Sequence, residues 1–312
     1  MVNKNSKIFI AGHNGMLGSS ILRILREKKY KKIITINRSK LDLRDQNSVK
    51  NFFKIKKPDV VIIAAARVGG IKANMNYPAN FINDNLQIQS NLILNSFNLR
   101  VKKLIFFGSS CIYPNNIKEK IKEDQIMAGP LEQSNESYSI AKIAGIKMLQ
   151  SLNKQYNTNY VCLMPCNLFG PNDNYDLSNS HFLPALIKKI YLASKKKKNK
   201  TVKLWGSGKP LREVLYVDEV ANACEYFLRK KKSSDLINIG SQTEMTIKDY
   251  ALQIRNKIDP TVLIKFDKNK KMDGVKRKKL DISLAKKNGW MPKMNFSKAL
   301  DKTINDFKKN YK

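Results

Sequence analysis

The sequence predicts an α/β protein, a doubly wound parallel sheet with a second, smaller domain in its C-terminal part. Three observations lead there. Apolar runs of strand length alternate with longer segments of helical period through the first half of the chain. A glycine-rich turn joins the first of these strands to the first helix. Beyond about Pro171 the alternation loosens, segments shorten, and Pro, Asn and Gly become frequent. The length, 312 residues, suits one large or two modest domains at roughly 150 residues each.

Taken in order, Lys7–Ala11 reads as a buried strand and Gly12–Gly18 as the turn. Ser19–Lys29 has helical spacing through Leu22 and Leu25, and Lys32–Ile36 is the second strand. Ser48–Lys56 is helical, with Pro58 behind it, and Val60–Ala64 is the third strand. Phe81–Leu99 is a long helix, Leu104–Phe107 the fourth strand, Tyr138–Gln155 a helix and Tyr160–Met164 the fifth strand. Strand–helix alternation of this kind builds a parallel sheet with helices on both faces. Val217–Leu228 is again helical and Leu236–Ile239 strand-like, so the chain is expected to return there to the first domain. The division expected is 1–172 for the nucleotide-binding domain, with 213–241 rejoining it, and 173–312 for a discontinuous substrate domain.

Composition narrows the function classes. Lys and Arg number 59 against 25 Asp and Glu, a formal charge of +34. Attraction to nucleic acid or a membrane is one reading of that charge. The other is lysine scattered over a solvated surface. Only 10 of the cations are Arg and 49 are Lys, spread along the whole chain, whereas specific nucleic-acid readers lean on bidentate Arg. The second reading is preferred, so neither a nucleic-acid nor a membrane partner is expected, although a basic field still attracts a pyrophosphate. Cys111, Cys162, Cys166 and Cys224 form no C-x-x-C pair, and His13 and His181 are the only histidines. A disulfide framework or a zinc site has little material here, and no metal is expected. The N-terminus lacks an apolar signal core, and no apolar run reaches ~18 residues. A reduced, cytoplasmic protein is the expectation.

Five constellations carry chemistry. In Gly12-His13-Asn14-Gly15-Met16-Leu17-Gly18, glycines permit a tight turn and close approach of backbone to a pyrophosphate, which the following helix N-terminus attracts. The spacing is G-x-x-G-x-x-G in the strand–turn–helix context of a Rossmann-type dinucleotide site. Arg38 follows the second strand, where an Arg accommodates the 2′-phosphate of NADP and an acid would hold the ribose of NAD; NADP(H) is therefore expected. Asp42 stands four residues on, either against the adenine or as the cap of a turn. Tyr138 and Lys142 are one helical turn apart and share a face, so the ammonium can lower the phenol from its usual value near ~10. Gly108-Ser109-Ser110-Cys111-Ile112-Tyr113-Pro114 lies at the end of the fourth strand, where ligands bind in such sheets. Ser109 could there bond a substrate carbonyl, while Cys111 reads by itself as a small buried residue. Finally, Asn179-Ser180-His181 holds a lone His, a residue type more often packed than catalytic.

Together with Ala64-Ala65-Ala66-Arg67-Val68-Gly69-Gly70-Ile71, Met164–Pro171, Leu204-Trp205-Gly206-Ser207-Gly208 and Asn288-Gly289-Trp290, these blocks resemble the GDP-L-fucose synthases, extended short-chain dehydrogenases/reductases, nearly end to end. The resemblance implies a Rossmann domain with a smaller, mainly helical C-terminal substrate domain. It implies an oxidoreductase that takes GDP-4-keto-6-deoxy-D-mannose to GDP-L-fucose, epimerising C3 and C5 and reducing the C4 ketone with NADPH. It further implies a homodimer packed through Phe81–Leu99 and Tyr138–Gln155.

Carried over by position, Ser109 and Tyr138 bind the ketone oxygen and Tyr138 protonates it. Lys142 tunes the phenol and holds the nicotinamide ribose. Cys111 and His181 are base and acid of the epimerisation, thiol and imidazole being side chains readily tuned toward neutrality. Gly12, Asn14, Gly15, Met16, Leu17, Gly18, Arg38, Asp42 and Ala64–Ala66 fall to the cofactor. Asn167, His181, Lys189, Trp205, Arg212 and Lys278 fall to the GDP-sugar, with Lys188 beside Lys189. The chain departs from the pattern at three places. Asn14 stands where Arg is common, Lys188-Lys189 where an arginine pair is often found, and Cys166 where Thr is frequent. Relatives with the same motifs act on GDP-linked deoxyheptoses or 3,6-dideoxy sugars, and some of them only reduce.

Overall fold

The computed structural model describes residues 2–267 and 275–311; the ends of the expected ranges at Met1 and Lys312, and positions 268–274 of the second, lie outside them. β1 (Lys7–Ala11) leads into α1 (Met16–Glu27), β2 (Lys32–Ile34), α2 (Gln46–Lys56) and β3 (Val60–Ile63). Then come α3 (Ile71–Asn76), α4 (Pro78–Asn98), β4 (Lys103–Phe107), α5 (Glu136–Tyr156) and β5 (Tyr160–Pro165). The short β6 (Asn167–Phe169) is followed by α6 (Phe182–Ser194), β7 (Thr201–Leu204), β8 (Leu211–Tyr216), α7 (Val217–Arg229) and β9 (Leu236–Ile239). β10 (Glu244–Thr246), α8 (Ile247–Ile258), β11 (Leu263–Phe266), β12 (Arg277–Lys278), α9 (Ser283–Lys287) and α10 (Phe296–Asn310) complete the order.

Six strands form one parallel sheet in the order β2-β1-β3-β4-β5-β9. Strands β3, β4 and β5 are buried along their length and, apart from Lys103, apolar, as helices on both faces require. Because β1 lies between β2 and β3, the chain reverses direction across the sheet there. A crevice opens at such a switch point beyond the strands' carboxyl ends. Leu236–Ile239 does pair with β5 in this sheet, and α7 packs against α1.

A second set of strands surrounds β8, which runs antiparallel to β10 and parallel to β6 and β12; β7 pairs with β11. Helices α6, α8 and α10 pack here around a separate hydrophobic cluster that includes Leu186, Ile190, Tyr250, Ile254, Leu300 and Phe307. β8 serves both cores. Leu215 belongs to the cluster of the large sheet, and Val214 and Tyr216 to the smaller one.

Element ends differ from the sequence reading for local reasons. α1 begins at Met16 rather than Ser19, since Gly15 is its N-cap and the end of the glycine turn is already helical. β2 stops at Ile34, being an edge strand with a single partner. α4 starts at Pro78, whose missing N–H costs nothing in a first turn. α2 starts at Gln46, after Asp45 accepts from the backbone N–H of Ser48.

One residue at the base of the sheet sits against expectation. Lys103, 1% exposed, donates from Nζ to Asn159 Oδ1 at 2.7 Å and to the Lys230 carbonyl at 3.3 Å, both neutral acceptors. Burial pushes its pKa down from 10.5 to about 8. The unfolded chain therefore binds the proton more tightly, and stability rises with pH between these two values. Relative to Lys103→Met, the wild type is expected to gain roughly 3 kcal/mol across that window. Thermal midpoints of both proteins taken through it test this; parallel profiles would remove the buried charge from the account.

Candidate active site

The glycine turn after β1 is built for close approach. Gly12 has φ +87°, and a Cβ there would come within 2.6 Å of the Ala65 nitrogen. A Cβ on Gly18 would strike the Gly12 carbonyl, whereas at Gly15 the nearest atom is 3.6 Å away. The open side of the turn is thus at Gly15, at the head of α1, whose N-terminus carries no side-chain cap. Met16 and Leu17 form its first turn, with unpaired N–H groups and positive potential for an anion. Ala64 donates to the Ala11 carbonyl at 3.0 Å, and Ala64 and Ala65 lie against Gly12, with Ala66 next in the chain. Asn14 Nδ2 donates to Asn37 Oδ1 at 3.0 Å, tying the turn to the segment that carries the exposed Arg38. A cradle that a Cβ would fill, an uncapped helix and a cationic far end together fit a phosphorylated dinucleotide.

Asp42 caps a turn, one of its two expected placements. Its carboxylate accepts from the Arg44 backbone N–H at 3.0 Å and from the Arg44 guanidinium at 2.6 Å. The guanidinium hydrogen bond holds its carboxyl down at about 2.

Ser109, Cys111, Tyr138 and Lys142 come together at the carboxyl end of β4. Ser109, two residues beyond the strand and still extended, caps a single 3-10 turn, its Oγ accepting from the Cys111 N–H at 3.3 Å. The Cys111 carbonyl accepts from Ser139 Oγ at 3.0 Å, which fixes this turn to the first turn of α5. Tyr138, partly buried, presents its hydroxyl to the Ser109 side chain and lies close to the Cys111 thiol. One turn on, Lys142 is 3% exposed and donates to the Phe107 carbonyl at 2.9 Å, with Nζ 5.9 Å from the Tyr138 ring centroid. Burial lowers Lys142 to about 8.

The tyrosine differs from the reading of its spacing. Burial, seconded by the nearby Cys111, raises the phenol, and the Ser109 hydrogen bond only partly opposes this. Tyr138 therefore holds its proton firmly. That is the starting state of a group that must give a proton to a ketone oxygen rather than take one.

The segment before α6 joins this region through α3. His181 is the N-cap of that helix. Its ring opens to solvent, yet the protein around it lowers its pKa by desolvation, so its imidazolium is a stronger acid than in water. The preceding turn is anchored by Asn179, whose carbonyl accepts from the Gly70 N–H at 3.0 Å. Gly70 heads α3, which packs on the turn just before α5. Asn167 donates to the Glu213 carbonyl at 3.2 Å. In the neighbouring register, Arg212 of β8 stands beside Lys278 of β12. The Arg212 guanidinium donates to the Leu211 and Val275 carbonyls at 2.9 and 2.6 Å. Lys189 lies 4.9 Å from the ring centroid of the exposed Trp205, but Lys188 turns to the Tyr311 ring, also at 4.9 Å. The two lysine side chains thus lie against different rings.

Sequence reasoning missed Arg44, Arg67, Asp84 and Glu213. Glu213 is fully buried and accepts from the Gln242 and Leu280 backbone N–H groups at 2.6 and 2.9 Å. It ties β8 to the segments that follow β9 and β12. Only Asp42 and Arg44 are near in sequence; the other partners are 17 to 67 residues apart, beyond any local pattern.

With this geometry in place, likeness to known proteins becomes informative. The profile of the NAD dependent epimerase/dehydratase family matches residues 8–240. GDP-L-fucose synthase 1 of Arabidopsis thaliana is 43% identical over 310 residues, 99% of this chain and 95% of the relative. A GDP-6-OMe-4-keto-L-xylo-heptose reductase from C. jejuni superposes with a TM-score of 0.92 at 33% identity, covering 100% of this chain and 99% of that one. A GDP-L-fucose synthetase from Naegleria fowleri bound to NADP superposes with a TM-score of 0.91 at 28% identity, covering 100% and 95%.

Proposed function

The chain belongs to the NAD dependent epimerase/dehydratase family, and within it to the GDP-L-fucose synthases, and from that membership we propose that it converts GDP-4-keto-6-deoxy-D-mannose to GDP-L-fucose. One observation carries the reading: Ser109, Cys111, Tyr138 and Lys142 cluster at the end of β4, in the sheet whose switch point holds the glycine cradle.

Both epimerised carbons, C3 and C5, flank the C4 ketone, so one polarised carbonyl acidifies both C–H bonds. Ser109 and Tyr138 hold the ketone oxygen and stabilise the enolate that forms there. Cys111 removes the proton as base, and His181 returns one from the other side as acid. Tyr138 then delivers its own proton to the oxygen during reduction. NADPH, when bound, supplies the hydride for C4. Lys142, held by the Phe107 carbonyl, orients the nicotinamide ribose. Arg38 takes the 2′-phosphate, with Gly12–Gly18 and Ala64–Ala66 lining the rest and Asp42 shaping the adenine end. Asn167, Arg212, Lys278, Lys189 and Trp205 receive the GDP-sugar.

In this reading residues 1–172, rejoined by 213–241, form the NADP(H)-binding domain, and the remainder of 173–312 the substrate domain. Two hydrophobic cores support two domains, but their boundaries differ from that division: Leu280, Ile282, Ala285 and Trp290 pack in the core of the large sheet, and Phe169, Val214 and Tyr216 in the smaller one. The protein acts in the cytoplasm as a homodimer through α4 and α5, each of which exposes apolar side chains, Leu94 on the first and Ile140 on the second among them. Among the described residues no helix is long and apolar enough to cross a membrane. Nucleic acid has no part in the activity.

A second reading is favoured by the C. jejuni likeness, namely reduction at C4 of a GDP-keto-heptose without epimerisation. NADPH oxidation with GDP-4-keto-6-deoxy-D-mannose in deuterated water separates the two. The expected product is GDP-L-fucose with deuterium at C3 and C5. Oxidation without deuterium would establish a plain reductase, and no oxidation would point to the heptose.

A further inference from the structure

Asp84, in the second turn of α4, is 5% exposed and stands between two guanidiniums that arrive from different loops. Arg44 Nη1 is 3.2 Å from Asp84 Oδ1, and Arg67 Nη1 is 2.9 Å from Oδ2. Burial works to raise the Asp84 carboxyl, but hydrogen bonds from Arg67 and Arg44 hold it below the usual carboxylate range.

Arg44 follows β2, on the loop that also carries Arg38, and it grips Asp42 at the same time. Arg67 follows β3, on the loop that carries Ala64–Ala66. The backbone of Arg67 is pinned by Asn85, which accepts from its N–H at 2.9 Å and donates to its carbonyl at 3.0 Å. Since β1 lies between β2 and β3, these two loops flank the glycine turn that follows β1. One carboxylate therefore joins both walls of the crevice. The path continues toward the chemistry. The Arg67 guanidinium lies 5.5 Å from the Phe81 ring centroid, and Phe81 meets Tyr138 edge-on at 6.4 Å.

We propose that Asp84 is a positioning residue of the cofactor site, setting the distance between the loop that takes the adenosine 2′-phosphate and the loop that lines the dinucleotide beside Gly12. This rests on the NADP(H) reading of the crevice. Without the carboxylate, two like charges face each other in a partly buried place. Both arginine side chains are about a third exposed, so they turn to solvent and the loops lose their tether. Asp84→Asn keeps the shape and removes the charge.

Titration calorimetry with NADP+, adenosine 2′,5′-bisphosphate and GDP tests the proposal on the full chain. Asp84→Asn is expected to weaken NADP+ and the bisphosphate about tenfold and to leave GDP unchanged. Arg67→Gln should do the same, and the double variant with Asp84→Asn should be no worse than either, because the Arg67 guanidinium acts through that carboxylate. Asp84→Glu should restore most of the loss. Unchanged NADP+ affinity in Asp84→Asn overturns the role, as does an equal weakening of NADP+ and GDP, which would mark general loosening of the fold. A wild type that binds no NADP+ defeats the cofactor reading itself, a result distinct from either.

Discussion

Tyr138→Phe is expected to slow ketone reduction about a thousandfold while C3 and C5 still exchange with solvent. The magnitude is that of a general acid which also binds the developing oxyanion. The phenol is held protonated by burial and placed at the Ser109 hydroxyl, so its removal takes away the proton donor and one of two groups on the oxygen. Ser109 remains, and Cys111 keeps its place through the Ser139–Cys111 hydrogen bond, which involves only the backbone of Cys111. The phenylalanine ring retains the edge contact with Phe81, so the helix need not move. Single-turnover NADPH oxidation, with proton NMR of the substrate in deuterated water, measures both steps on one sample. Full-speed reduction would remove Tyr138 from the acid's role.

The complementary loss is expected from Cys111→Ala: deuterium incorporation at C3 and C5 falls at least a hundredfold, on the scale of a lost general base, while hydride consumption continues on the unepimerised ketone. The thiol makes none of the hydrogen bonds that hold its turn. Those run from the Cys111 N–H to Ser109 and from Ser139 to the Cys111 carbonyl, and both survive the substitution. Mass spectrometry of recovered substrate reads the exchange directly. Undiminished incorporation would return Cys111 to a packing role.

Much of this was legible in the residues because the signals were local. Gly12–Gly18 declares a strand–turn–helix, and the continuous apolar runs of β3 and β4 declare strands covered on both faces. Tyr138 and Lys142 declare a shared helical face. What stayed hidden depended on which distant segments meet. The raised phenol follows from how much protein closes around Tyr138 and from the nearby Cys111, which no spacing reports. Asp84 lies in a helix whose sequence carries no mark of the two arginines that reach it. Lys188 and Lys189 are adjacent in sequence and read as a pair, yet consecutive positions on a helix point about 100° apart, and they settle on different aromatic rings. Asp42 was left with two placements by the sequence, and the reach of Arg44 shows one of them, the turn cap.

Strand β8 has a kinematic consequence. Its successive residues are embedded in alternate cores, Leu215 in one, Val214 and Tyr216 in the other. A slip of one position would exchange these partners and thrust Glu213, with its two backbone hydrogen bonds, into an oily interior. Sliding of one lobe past the other is thereby forbidden at this strand. Through β8 the two lobes share one spine, the side chains of Val214, Leu215 and Tyr216 each keyed to one core or the other.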